Sequence, residues 1–209
     1  IAARGFYSLE FLLYDETLMQ AGNTAYRCTL VQTVSADIAA TTAAIYNEWQ
    51  TGYADVVQSP GPDALYRSEE EVLQEMLRAL STGLQFTEES RLGRPLGTFA
   101  RPRPTRAEAW RSGRSAQNVV LSLTSLQDLA VRLAADDADL SQSLNSEFES
   151  ALARLEQLDD PVFQGVAEPL SRLKVEVIQQ SVGAIRDAVR TELGPTLGVA
   201  AGFNRLDGD

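Results

Sequence analysis

Leu140, Leu144, Phe148, Ala151, Leu155 and Leu158 follow one another at spacings of 4, 4, 3, 4 and 3. An α-helix puts such a series on one face, because positions three and four apart lie above one another on a 3.6-residue turn. The stripe must then be buried against other helices, which is how bundles are built. Similar periods run through most of the 209 residues, and no strand pattern of any strength competes with them.

Phe6, Leu9 and Leu13 open the chain at i, i+3 and i+7. A run of about 35 residues, 24–58, carries Leu30, Val34, Ile38, Ile45, Trp49 and Val56 on one side, with Asn23 placed to cap it. It must pack along a long bundle or bend. Cys28 lies inside this pattern, which predicts a buried, inert thiol. "SPGPDALYR" breaks the run. Ser68 and Glu71 form a capping box for a helix burying Val72, Met76, Leu80 and Leu84. Residues 91–105 read as a long irregular loop, and Thr105 with Glu108 as a second capping box. Helices follow at about 115–135 and 139–158. Asp160-Pro161 reads as a cap and first helical position, Pro169 as a kink or restart, and Gly194-Pro195 as the stop. The expected fold is all-α: an antiparallel helix bundle in two halves, 1–92 and 93–209, or one continuous domain.

The net charge of −11 disfavours nucleic acid and anionic membranes as general partners. There is no histidine, which excludes a His-dependent zinc site, a His haem ligand and a Ser-His-Asp triad. Carboxylate metal sites stay open. The single cysteine allows neither an intramolecular disulfide nor a CxxC site. No leader and no transmembrane span is evident in the sequence.

Two stretches carry candidate chemistry. In the opening helix Tyr7, Glu10 and Tyr14 share one narrow stripe, while Phe6, Leu9 and Leu13 lie on another side. Glu10 is therefore expected among aromatics, where a carboxylate needs a cationic or hydrogen-bonding partner, or a proton. It reads either as half of a structural Glu–Arg pair or as a ligand-facing carboxylate. Residues 91–115 hold seven arginines and one glutamate, a local charge of +6 that leaves the remainder at −17. Guanidinium forks suit carboxylates and phosphates. These arginines either neutralise the acidic body, Glu10 included, or bind an anion. "DDADLSQSLNSE" lacks the glycine and spacing of a calcium loop and reads as a helix junction.

"GFYSLEFLLY" resembles the signature region of the imelysin family, whose motif is Gly-x-His-x-x-Glu; the frame here is Gly5-Phe6-Tyr7-Ser8-Leu9-Glu10. "AYRCTLVQTVSADI", "GRPLG", "EAWRSGRS" and "LGVAAGFNRLDGD" are also similar to imelysin-like proteins, so the resemblance runs nearly end to end. It implies an all-helical fold of two bundle-like halves with the motif near their interface. It also implies a place in the bacterial periplasm or at the outer membrane, as in a lipoprotein, a link to iron uptake, and a zinc-peptidase label. Tyr7 stands where the motif has His, so only Gly5 and Glu10 carry over. Members also have helices ahead of the motif, which this chain is expected to lack.

Together these point to a non-catalytic envelope protein that binds a small ligand or an envelope protein at a cleft near Glu10. The expected site comprises Gly5, Tyr7, Glu10 and Tyr14, with Trp110, Arg111, Ser112, Arg114 and Ser115 from the "WRSGRS" turn; Arg111 or Arg114 is expected to hold Glu10. No catalytic residue and no cofactor is assigned, and iron or another metal held by carboxylates remains open. The alternatives are a metallopeptidase of the imelysin type and a structural scaffold. A first helix apolar on two sides needs cover on both, from an N-terminal segment of the same protein or from a second copy.

Overall fold

The computed structural model describes residues 4–199, and no strand occurs among them. The all-helical expectation holds. The motif segment "LGVAAGFNRLDGD" lies largely outside the described residues. The chain divides into two compact units: Ile1–Arg67 with Arg111–Gly113, and Ser68–Trp110 with Arg114–Asp209.

In the first unit, helix α1 (Gly5–Tyr14) is followed directly by the short α2 (Glu16–Gln20). Gly5 sits at φ +80°, a left-handed conformation that favours glycine, so the motif glycine shapes the entry into α1. Asp15 ends α1 and caps α2, accepting from the Leu18 N–H at 3.1 Å. Helix α3 (Thr24–Glu48) begins where expected, with Asn23 Oδ1 accepting from the N–H groups of Ala25 and Tyr26. It runs through a π-turn at Trp49–Tyr53 into α4 (Ala54–Gln58). There the Trp49 and Tyr53 rings meet edge-on at 4.8 Å, and the Tyr53 and Tyr66 hydroxyls share a 2.7 Å hydrogen bond.

Helix α1 packs on α3, and the Arg4 guanidinium forks onto both oxygens of Asp37 at 2.6 and 2.9 Å. Glu10 and Val34 are the buried residues among those described in this unit. The apolar stripe of α3 is therefore only partly covered: Leu30 and Ile38 are half-buried around Val34, whereas Ile45 and Trp49 are exposed. Cys28 is exposed as well, which corrects the buried thiol. The reason is local: α1 is too short to cover more than one side of α3. Thr24–Gln58 is also long and apolar enough to cross a membrane, with a mean hydropathy of 1.2 over its most apolar window. Asp37, paired with Arg4, lies within that span.

The second unit holds α5 (Glu69–Gln85), α6 (Gly93–Leu96), α7 (Ser115–Leu133), α8 (Ala138–Glu156), α9 (Pro169–Ala188) and α10 (Gly194–Thr196). α5, α7, α8 and α9 form a bundle in which α7 packs on α5 and α8, and α9 on α5 and α8. Ser68 Oγ caps α5, whose first turn carries three glutamates that suit the positive helix end. Asp137 caps α8, whose 4-4-3-4-3 stripe points inward, with Phe148 fully buried. It meets Leu77, Leu80 and Leu84 of α5, Leu123 of α7 and Ile178 and Ile185 of α9 in one core.

Residues 91–105 are more regular than expected. A π-turn at Phe86–Leu92 leads into α6, and a 3-10 turn occupies Pro104–Arg106. Thr105 opens no helix. Glu108 instead accepts from Arg91 Nε at 2.6 Å and from Asn118 Nδ2 at 3.2 Å. Asp160 is a cap, but of a turn: its carboxylate accepts from the N–H groups of Val162, Gln164 and Gly165 ahead of a 3-10 turn at Gln164–Ala167. Pro169 then restarts the chain as α9, at a first-turn position where proline costs no hydrogen bond.

Candidate ligand site around Glu10

Glu10 lies mid-way along α1, five residues before the Asp15 cap. Its side chain is buried, with 9 % of the residue exposed. Ser112 supplies both of its hydrogen bonds: the backbone N–H donates to Glu10 Oε1 at 3.0 Å and the hydroxyl at 3.1 Å. Oε2 receives no hydrogen bond from a described residue. Gly113, at φ +73°, makes the turn behind Ser112.

The neighbouring residue completes the attachment. Arg111 Nε donates to Asp15 Oδ2 at 2.7 Å, and the guanidinium carbon lies 4.0 Å from the centre of the Phe11 ring. Both partners are mostly shielded, with side chains about one-fifth exposed. That geometry combines an ion pair with a cation–π contact. The Arg111 guanidinium, and then the Leu18 N–H, hold the Asp15 carboxyl below its usual pKa.

The turn expected to hold Glu10 is thus the correct one, but the donor found is its serine, while the arginine's Nε goes to Asp15. Backbone N–H groups compete well for a carboxylate because they are fixed in place and need no side-chain ordering. Tyr7 and Tyr14 flank Glu10 on α1 with 55 % and 46 % of their surface exposed. The structure brings Glu10 and Ser112 together and places Arg111 beside them. Trp110, Arg114 and Ser115 belong to the second unit. There Trp110 packs against the core, Arg114 is exposed, and Ser115 opens α7 with its hydroxyl buried and unpartnered. Asp15 and Phe11 were missed. An Asp followed by Glu at the end of an apolar run is a capping signal that could have found Asp15.

The donor set does not fit a catalytic zinc. Such a site needs three protein ligands and an open fourth position. Around Glu10 one carboxylate oxygen is taken by two donors, Asp15 is engaged by Arg111 and a helix N–H, and residue 7 is a phenol. Among the described residues no group of three or more His, Cys, Asp or Glu side chains is arranged to hold a metal.

The family model described as Peptidase M75, Imelysin, matches residues 1–189. No curated protein and no solved structure gives a significant match. The match spans α1 and the Arg111–Gly113 turn, the parts that build the Glu10 arrangement. The chain belongs to the imelysin family.

Proposed function

We propose that the Glu10 arrangement is a binding site rather than a catalytic one, serving a protein of the bacterial envelope in iron acquisition. The observation that carries the reading is the division of labour on one carboxylate. Oε1 is pinned by two donors from Ser112, whereas Oε2 receives no hydrogen bond from a described residue. A carboxylate fixed in this way is pre-organised, so a ligand that donates a hydrogen bond or carries positive charge spends little on ordering it. Tyr7 and Tyr14 flank it on α1, each about half exposed. The peptidase alternative lacks support in the residues, because the sequence has no histidine and the neighbouring carboxylate is committed to Arg111. The iron and envelope parts of the reading rest on family membership alone.

The test is calorimetric titration of the full chain with ferric citrate, ferrous sulfate and haem, in wild type and in Glu10→Gln. One probe should saturate the wild type and bind Glu10→Gln at least about tenfold more weakly, since a charge-assisted bond to ligand is replaced by a neutral one. Equal binding by both proteins, or no binding of any probe, overturns the reading. Hydrolysis of peptide substrates that disappears in Glu10→Gln would select the peptidase instead.

A further inference from the structure

Within residues 91–115, Arg91 and Arg111 each hold a carboxylate. Arg101, Arg103 and Arg106 do not. Among the described residues none of the three forms an ion pair, although the chain carries 29 acidic side chains. Three carboxylates on nearby elements are already occupied. Glu108 is held by Arg91 and Asn118, Glu176 by Arg172, and Asp160 by three backbone N–H groups. Arg103 sits between the other two in sequence, and the charges of Arg101 and Arg106 lower its pKa.

The backbone beneath them is fixed. Thr98 and Arg101 exchange two backbone hydrogen bonds, and the Arg103 N–H donates to Pro95 O at 2.8 Å. The Arg106 N–H closes the 3-10 turn onto Arg103 O. Pro102 and Pro104 lock φ on either side of Arg103. From the core side, the buried Arg172 donates to Leu96 O at 2.6 Å and Thr98 O at 3.4 Å. Gly97 makes the bend at φ +58°, where an added Cβ would come within 2.5 Å of Arg101 O.

Three like charges on a rigid loop cost free energy, and a bound anion returns it. We propose that Arg101, Arg103 and Arg106 form a binding site for a compact multivalent oxyanion of the phosphate type. The chemistry matches. Each guanidinium presents a planar fork to tetrahedral oxygens, and a charge of −2 or more is needed to satisfy three cations at once. The pre-set loop keeps the ordering cost low. A single carboxylate would leave two cations unmatched, and a long nucleic acid would meet the acidic remainder of the chain, which carries −17 outside residues 91–115. The site is independent of Glu10, which lies in the other unit.

The experiment is calorimetric titration of the full chain with inorganic pyrophosphate at low salt, using wild type, the exposed-residue double variant Arg101→Gln/Arg106→Gln, and Arg103→Gln. These side chains lie outside the core and the loop's backbone bonds do not need them, so the variants should keep the wild-type far-ultraviolet dichroism. Wild type should bind one pyrophosphate and gain thermal stability from it. Each variant should bind at least about tenfold more weakly, and acetate should not compete at equal concentration. The control Arg132→Gln, at a distant exposed ion pair, should bind as wild type does. No binding by wild type, equal binding by the variants, or an equal loss in Arg132→Gln overturns the proposal.

Discussion

Ser112 grips one oxygen of Glu10 twice, through its backbone N–H at 3.0 Å and its hydroxyl at 3.1 Å. The two donors differ in what mutation can remove. Ser112→Ala deletes only the hydroxyl and should cost about 1 kcal/mol, the net worth of one ordinary hydrogen bond. Glu10→Ala removes the acceptor of both and strands a backbone N–H, so it should cost about 1.5–3 kcal/mol. Glu10→Gln keeps an acceptor and should fall between them. Denaturant unfolding of the three variants checks the order. A Ser112→Ala cost equal to that of Glu10→Ala would mean that the hydroxyl alone holds the carboxylate.

The Asp15–Arg111 pair sets an acid limit on the same attachment. The pair lowers the Asp15 pKa in the folded chain. Its contribution is therefore complete above the ordinary carboxylate value near 4 and is lost as pH falls through the lowered folded value. In Arg111→Gln the Asp15 carboxyl should titrate at higher pH, partly restrained by the Leu18 N–H that remains. Carboxyl carbon NMR reads this directly. Arg111→Lys should restore the low titration but not the contact with the Phe11 ring, because an ammonium lacks the planar face that stacks. An unchanged Asp15 titration in Arg111→Gln would contradict the assignment.

Glu147, on α8, has the opposite sign. One of its oxygens, Oε2, is buried without a hydrogen-bond partner. Burial, and then the charge of Glu192, raise its pKa. A carboxyl with a raised folded pKa binds its proton more tightly when folded. Its stabilising effect is therefore complete below the unfolded value and is lost as pH rises through the folded one. Ionisation of Glu147 is therefore opposed by its surroundings, and Glu147→Gln should raise Tm by a few degrees at pH 7. The gain should shrink near pH 4, where wild type is already protonated. A gain of equal size at both pH values would point to packing instead.

What the sequence disclosed was whatever one helix decides for itself. The caps at Asn23 and Ser68, the restart at Pro169 and the inward stripe of α8 depend on residues within a turn or two of each other. The burial of Glu10 was legible too, from the apolar residues on both sides of it. Its partner was not. Whether Arg111 or Ser112 meets the carboxylate is decided by one turn of backbone at Gly113, and spacing alone does not fix that rotation. The exposure of Cys28 was hidden for a related reason. Periodicity marks the apolar face of α3, but how much of that face is covered depends on the length of α1. Thr105 and Glu108 matched a capping pattern, yet Glu108 found a stronger partner in Arg91.

The first unit leaves more apolar surface open than two packed helices can hide. Phe6 and Tyr26 are each 70 % exposed and Tyr46 is 64 % exposed, with Ile45 and Trp49 beside it in sequence also open. Scattered apolar residues on a surface need no explanation, but Ile45, Tyr46 and Trp49 lie within about one turn of each other at the end of α3, and a large exposed apolar patch marks an association surface. Over α3 there is little charge to oppose association: Thr24–Gln58 has four charged side chains in 35 residues, and one of them, Asp37, is already paired with Arg4. These 209 residues should therefore self-associate through α1 and α3. Light scattering should give a mass above the 22.8 kDa of one chain. Ile45→Glu/Tyr46→Glu places like charges on the open face of each copy and should return the mass toward that value without loss of helicity. A wild-type chain that stays at 22.8 kDa at high concentration, folds cooperatively and binds no hydrophobic dye would show that α1 and α3 need no further cover.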